Sequence, residues 1–313
     1  MEPPDSGTDA WTVARLLAWT RDHLKRSGVE SPRLCAELLL AHAMKCQRIQ
    51  LYTQHDTVPG KDVLHTFRES VKQAAVGRPI AYLTGTKEFF SLSFEVAPDV
   101  LIPRPETEVL VERTIELVRH SAGALSSVLD LGTGSGCIVV SLARHLPDTR
   151  LFASDVSKPA LQVARRNAQR HGVSQRIEFR VGDLFAAWAA QTTESGEPAA
   201  APSRFDVVVC NPPYVAEDAV ASLPIDVREH EPRVALLAGP DGLSVLRRVI
   251  SDAPGWLSHG GHLLLEVGFD QAVAVRGLLD ESVWDAIVTY RDELKHERVV
   301  HARLRDEQPT RTT

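Results

Sequence analysis

Across residues 9–78 the apolar positions recur at spacings of three and four, the repeat of a helix buried along one side. Val13, Leu16, Leu17 and Leu24 fall on one helical face, and Gly28 stands where a C-terminal cap belongs. Ser31-Pro32 offers an N-cap followed by proline at the first helical position, and Leu34, Leu38 and Ala41 continue that helix's stripe. A further helix from about Asp62 carries Leu64, Phe67 and Val71. The stripes must bury against one another, so a small helical bundle is expected. The period then changes to two: Phe90, Leu92, Phe94 and Val96 alternate with Ser91, Ser93 and Glu95, as in a half-buried strand. Pro98-Asp99 reads as a turn and Val100-Leu101-Ile102 as a second strand, which makes 79–103 a linking β-hairpin.

From Glu106 onward helices and strands alternate. Strands are expected at 127–131, 150–154, 177–181, 206–210 and 262–267, and helices at 136–145, 159–171 and 242–256. This alternation predicts an α/β unit, a mostly parallel sheet covered on both faces. The last two apolar stretches, 286–290 and 298–304, are joined too tightly for a helical crossover and read as an antiparallel pair at the sheet's edge. Residues 191–203 (QTTESGEPAAAPS) have the composition of a surface loop, and the tail after Asp306 is similar. The division that results is a helical domain at 1–78, the hairpin at 79–103, the α/β domain at 104–306 and a disordered tail at 307–313.

Composition narrows the function classes. A chain of 313 residues suits two domains. Its longest apolar run, 184–190, is far short of the roughly 20 residues that a membrane-spanning helix needs. With 35 Lys+Arg against 41 Asp+Glu the formal net charge is −6, which argues against broad binding of a phosphate backbone. Residues 1–80 carry 11 basic and 9 acidic side chains, so the excess of acid lies in the remainder. Cys35, Cys46, Cys137 and Cys210 form no Cys-x-x-Cys pair, and the acidic, proline-containing start lacks the features of a signal or transit peptide; a reduced, cytoplasmic protein is expected. His259-x-x-His262 has metal-like spacing but no third ligand nearby, so no metal is expected.

Two motifs carry chemistry. Asp130-Leu131-Gly132-Thr133-Gly134-Ser135-Gly136 follows a strand and opens a helix, where bare backbone lets a ligand lie close. A dinucleotide loop wants Gly-x-Gly-x-x-Gly, and its last position here is Cys137; the spacing Gly-x-Gly-x-Gly is more like the S-adenosylmethionine loop of Rossmann-like methyltransferases. Asp155, at the end of the next strand, is placed to accept both ribose hydroxyls of a nucleoside, and Asp183 follows the third strand near an adenine position. The second motif is Asn211-Pro212-Pro213-Tyr214, directly after the strand at 206–210. With proline near 5% of residues, such a tetrad arises by chance on the order of once in 300 chains of this length. It suits a planar nitrogen that is a poor nucleophile. The Asn211 side-chain oxygen and the Pro212 carbonyl can each accept one N–H and favour the charge that develops on attack. Pro213 forces Pro212 into extended geometry, and Tyr214 can stack on the flat group. The catalytic candidates are therefore Asn211, Pro212 and Tyr214.

In these residues the chain resembles the HemK/PrmC family of protein-(glutamine-N5) methyltransferases, from about residue 9 to 305. The resemblance includes Tyr82-Leu83-Thr84-Gly85, Glu88-Phe89, Pro103-Arg104-Pro105-Glu106-Thr107-Glu108, the glycine loop, the tetrad, Glu231-Pro232, Asp241-Gly242-Leu243 and Arg298-Val299. It implies a Rossmann-like class I S-adenosylmethionine-dependent fold with an N-terminal helical bundle. It further implies methylation of the Gly-Gly-Gln glutamine of class 1 peptide chain release factors; a monomer that holds no stable nucleic acid is expected. Carried onto matching positions, it gives Gly132, Thr133, Gly134, Ser135, Gly136, Asp155, Asp183, Leu184 and Asn211 to the cofactor. Asn211, Pro212, Pro213, Tyr214 and Arg104 go to the glutamine. Two positions depart from the family: Leu184 stands where an aromatic residue is frequent, and Lys295 where many members carry glycine. The alternatives are a ribosomal-protein glutamine methyltransferase, an adenine-N6 nucleic-acid methyltransferase, and a non-enzymatic S-adenosylmethionine-binding protein. The last has no need of the tetrad.

Overall fold

The computed structural model describes residues 10–121, 123–189 and 203–306. Apart from Ser203, the 191–203 loop lies outside these residues, as does the 307–313 tail. The chain forms two compact units, Met1–Thr86 with Pro224–His230, and Lys87–Leu223 with Glu231–Thr313.

In the first unit, α1 (Val13–Arg26) starts at Thr12, whose hydroxyl accepts from the Arg15 N–H at 3.3 Å, and Gly28 follows its end at φ +77°. The second helix, α2 (Pro32–Met44), begins at Pro32 as expected, but Ser31 takes a left-handed φ of 47° and its side chain caps nothing. An N-cap serine reaches the helix N–H groups from the extended region, which this residue has left. The buried face of α2 also differs from the expected one. Ala36, Leu39 and Leu40 are buried with Ala41, while Leu34 and Leu38 are exposed. A helix this apolar on all sides gives periodicity little to choose from. Leu51 from α3 (Gln50–Thr53) and Phe67 and Val71 from α4 (Lys61–Ala75) complete the core, and α5 (Ile80–Thr84) ends at Gly85.

A hairpin of β1 (Thr86–Phe89) and β2 (Leu92–Glu95) comes next. This corrects the expected strands: Phe90 and Ser91 form the turn at φ 49° and 59°, and Val100–Ile102 is not a strand. Neither turn residue is glycine or asparagine, so the sequence gives no turn signal there. The fold supplies one instead, because the Glu108 carboxylate accepts the Phe90 N–H at 2.8 Å. The hairpin is fastened by Asn167, which donates to the Glu95 carbonyl and accepts its N–H.

The α/β unit follows in order: α6 (Glu108–His120), β3 (Ser127–Leu131), α7 (Cys137–His145), β4 (Arg150–Asp155), α8 (Lys158–Arg170), β5 (Ile177–Val181) and β6 (Phe205–Cys210). A short helix, α9 (Ile225–His230), belongs to the first unit. After it come α10 (Ser244–Trp256), β7 (Leu257–Glu266), α11 (Ala272–Leu278), β8 (Trp284–Arg291) and β9 (Glu297–Leu304). The seven strands run β5-β4-β3-β6-β7-β9-β8, with β9 and β8 antiparallel at the edge, as expected. Apolar clusters cover both faces, one around Leu110, Val139 and Val207, the other around Leu129, Val208 and Leu246. Lys295, where the family prefers glycine, turns between β8 and β9 at φ 68°.

Strand order reverses at β3, which places the crevice of such a sheet at the carboxyl ends of β3 and β6. Register decides what meets there. Leu131 aligns with Ser154 and Cys210, and Cys210 aligns with Leu265. Gly132, Asp155, Asn211 and Glu266 therefore stand along one edge of the sheet.

Candidate active site

The glycine loop folds back over β4: the Gly132 and Thr133 N–H groups donate to the Ser154 carbonyl at 2.9 and 3.0 Å. Asp155 is fixed in turn. One of its oxygens accepts the Gly134 N–H at 2.9 Å and the other the Ser157 N–H at 2.8 Å. A carboxylate has about four acceptor positions, so acceptor capacity remains. Burial raises its pKa despite these bonds. Gly136 has φ +80°, and a Cβ there would lie 3.0 Å from that of Ala164. Only glycine lets α7 begin this close to α8.

Asp130, at the end of β3, is fully buried. One of its oxygens accepts the Thr133 hydroxyl at 2.6 Å and the other has no partner; burial pushes this carboxyl up to about 7. A cavity of about 540 Å³ opens beside the glycine loop. It is lined by Gly132, Thr133, Gly134, Ser135, Asp155, Asp183, Leu184, Asn211, Pro213 and Arg104 among others. Of the expected site residues, Gly136, Pro212 and Tyr214 do not line it.

Asn211 leaves β6 with its side-chain NH2 donating to the Thr107 hydroxyl at 3.1 Å. Beyond it the chain is laced to the segment at 236–242. The Val215 N–H donates to the Leu236 carbonyl at 2.8 Å, and the Ala238 N–H to that of Val215 at 2.9 Å. The Gln271 side chain donates to the Tyr214 carbonyl at 3.0 Å. A Cβ at Gly242 would come within 2.4 Å of that same carbonyl, so glycine is required there. Burial, with the Glu266 carboxylate adding to it, pushes the Tyr214 hydroxyl up to about 12, and the ring stays neutral.

Several residues of this edge escaped the sequence reading in their roles. Arg104 pairs with the buried Glu231, which also accepts the Ile102 N–H at 3.2 Å and so anchors the loop before α6. Arg248 meets Asp183 at 2.5 Å; nothing in the sequence marks an arginine within α10 for that contact. Thr107 and Glu266 flank Asn211, and an acidic residue at the carboxyl end of a strand was the same signal that marked Asp155. His262, weighed as a ligand, lies 2.9 Å from His301, and no group of three potential metal ligands occurs among the described residues.

Comparison with known proteins decides the family. Residues 15–85 match the PrmC N-terminal domain, and residues 107–225 the methyltransferase small domain. Over 301 residues the chain is 42% identical to the release factor glutamine methyltransferase of Rhodopirellula baltica, covering 94% of this chain and 97% of that one. The chain belongs to the release factor glutamine methyltransferase family. Its identity to the Geobacter sulfurreducens member is 38% over 296 residues, 95% of this chain and 98% of that one. The solved hMettl16 catalytic domain in complex with the MAT2A 3′UTR hairpin 6 is 17% identical, with a TM-score of 0.53, covering 77% of this chain and 84% of that chain. That likeness is one of fold. As a family member the chain is an S-adenosylmethionine-dependent protein glutamine methyltransferase with the class I sheet and helical N-terminal domain expected from sequence.

The donor set suits that cofactor. Asp155, which lines the cavity, keeps acceptor capacity. Leu184, held at φ 49°, offers the cavity an aliphatic surface where an aromatic ring is frequent. The cavity is also within the usual ~300–1,000 Å³ of small-molecule sites.

Proposed function

We propose that the enzyme methylates the side-chain amide nitrogen of the glutamine in the Gly-Gly-Gln loop of class 1 peptide chain release factors, and that the cavity beside Asn211 is where it does so. The observation that carries the site is the Asn211 amide. Its NH2 edge is taken by Thr107, which leaves its oxygen as an acceptor beside the glycine loop and Asp155.

When bound, S-adenosylmethionine supplies an electrophilic methyl group on a sulfonium. Asp155 would hold the ribose hydroxyls, Asp183 and Leu184 would serve the adenine, and residues 132–135 the remainder. An amide nitrogen attacks poorly because its lone pair is delocalised into the carbonyl. The Asn211 oxygen and the Pro212 carbonyl each accept one of its N–H bonds, which orients the nitrogen and stabilises the positive charge that it gains. Pro213 has no N–H to compete and holds Pro212 extended. Tyr214 fixes the plane of the amide, and Arg104, braced by Glu231, shapes the pocket. The methylated nitrogen is acidic enough to lose its proton to water, so no strong base is required.

The helical domain is assigned to holding the release factor, with the enzyme acting as a cytoplasmic monomer. The net charge of −6 supports a protein substrate over nucleic acid. No helix among the described residues is long and apolar enough to cross a membrane. The test incubates purified enzyme with labelled cofactor and release factor, beside a Gln→Ala variant of the tripeptide. Label is expected only on the unaltered glutamine. Equal labelling of both proteins, or labelling of DNA or a ribosomal protein instead, would sink the assignment.

A further inference from the structure

A primary amide has two chemically opposite edges of nearly equal size. If Asn211 turned its NH2 toward the substrate nitrogen, donor would face donor, and the arrangement that favours attack would become one that opposes it. Something must fix the edge.

The Asn211 NH2 donates to the Thr107 hydroxyl at 3.1 Å. Thr107, just ahead of α6, borders the cavity but is only 2% exposed. The hydroxyl is also hydrogen-bonded to Glu266, the last residue of β7. Register places Glu266 there, since the residues preceding it and Asn211, Leu265 and Cys210, are aligned partners. Glu266 is 2% exposed, and its second oxygen has no partner. Burial raises its pKa and Glu106 adds to that, while the Thr107 hydroxyl, Arg298 and Arg104 favour its charge.

A threonine hydroxyl has one proton and two lone pairs. Once that proton is given to a carboxyl oxygen, the hydroxyl oxygen can only accept. It then binds the NH2 edge of a neighbouring amide and rejects the oxygen edge. We infer that Thr107 and Glu266 form a positioning pair that fixes the Asn211 amide with its oxygen toward the substrate nitrogen. This rests on the reaction assigned above. Neither residue touches the reacting atoms. Thr107 acts through Asn211, and Glu266 acts through Thr107. The loop before α6, the end of β6 and the end of β7 are thereby joined in setting one torsion.

The experiment uses full-length enzyme and purified release factor, with Thr107→Val, Thr107→Ser and Glu266→Gln variants. Measured for each are kcat, KM for release factor, cofactor affinity by calorimetry, and Tm. Valine keeps the shape and loses the hydroxyl, so kcat is expected to fall on the order of 10- to 100-fold, the scale of a misoriented reacting group. KM and cofactor affinity should stay within about threefold, since ground-state binding is not what the pair controls. Thr107→Ser should restore most of kcat, and Glu266→Gln should fall between wild type and Thr107→Val, because a glutamine can present either a donor or an acceptor to Thr107. An unchanged kcat in Thr107→Val, a parallel loss of cofactor affinity, or failure of serine to rescue would each overturn the pair. Absence of turnover in the wild type would instead overturn the assigned reaction, and the pair with it.

Discussion

The two edges of the same sheet treat carboxylates in opposite ways. At the amino edge, one oxygen of Asp206 gathers the N–H and hydroxyl groups of both Ser126 and Ser127 at 2.9–3.1 Å. Burial works to raise its pKa, but these bonds and one from Ser258 outweigh burial and hold it below the usual range. At the carboxyl edge, Asp130 and Glu266 are buried more deeply and each keeps one oxygen without a partner; burial pushes both up to about 7. A satisfied acid ties loops together, while an under-satisfied one costs stability. The difference separates the end of the sheet that holds the fold from the end proposed to do the chemistry.

The largest effect that would sharpen this contrast is expected from Asn211→Ala. Turnover should drop on the order of 10²- to 10³-fold, the usual loss on deleting one preorganised polar contact to a developing charge. Cofactor affinity should change little, and single-turnover methylation beside calorimetry separates the two. A proportional loss of binding would remove the role given to that side chain.

Gly242→Ala should act at the same edge through the backbone. Its Cβ would collide with the Tyr214 carbonyl, so about 2 kcal/mol of stability is expected to go, together with turnover. Asp206→Ala should also cost about 2 kcal/mol, by leaving the Ser126 and Ser127 N–H groups short of an acceptor. Urea unfolding checks both. The contrast breaks if Asp206→Ala lowers kcat of the folded enzyme, or if Gly242→Ala spares it.

The smallest effect is in pH. A carboxyl whose folded pKa is raised binds a proton more tightly folded than unfolded, so it stabilises at low pH, and that contribution is lost as pH rises through the folded value. For Glu266 the window runs from its ordinary value of 4.5 to about 7. Asp130, raised by burial, contributes with the same sign, and Glu266→Gln should flatten the decline in unfolding free energy across that window. Asp206 has the opposite sign: its stabilisation is lost only as pH falls through its lowered value, so Asp206→Ala should leave the slope near neutrality unchanged.

Much of this edge could be read from the chain. The strands at 127–131 and 177–181 were placed to the residue, because alternating helices and apolar runs of about five leave few other arrangements. The glycine loop, Asp155 and Asn211 announce themselves by their place after strands. Phe90-Ser91 was misread because its turn is imposed by Glu108 from α6 and not by turn residues. The inward face of α2 was misread because its apolar residues encircle it. Thr107, Glu266 and Arg248 acquire roles only through register and tertiary contact, which local pattern does not encode.

The assignment of Pro224–His230 to the helical unit has a practical consequence for dissecting the enzyme. The chain passes from one unit to the other at Thr86, returns after Leu223, and leaves again before Glu231, the residue that braces Arg104. Cutting the protein at residue 86 would therefore not free two intact halves. The catalytic fragment would keep α9 but lose the surface around Gly77 against which Ile225 rests, and the helical fragment would lack that segment. The helical unit behaves in this respect as an appendage sewn on at both ends of a loop. Its removal would leave Pro224–His230, directly before Glu231, without the unit it belongs to.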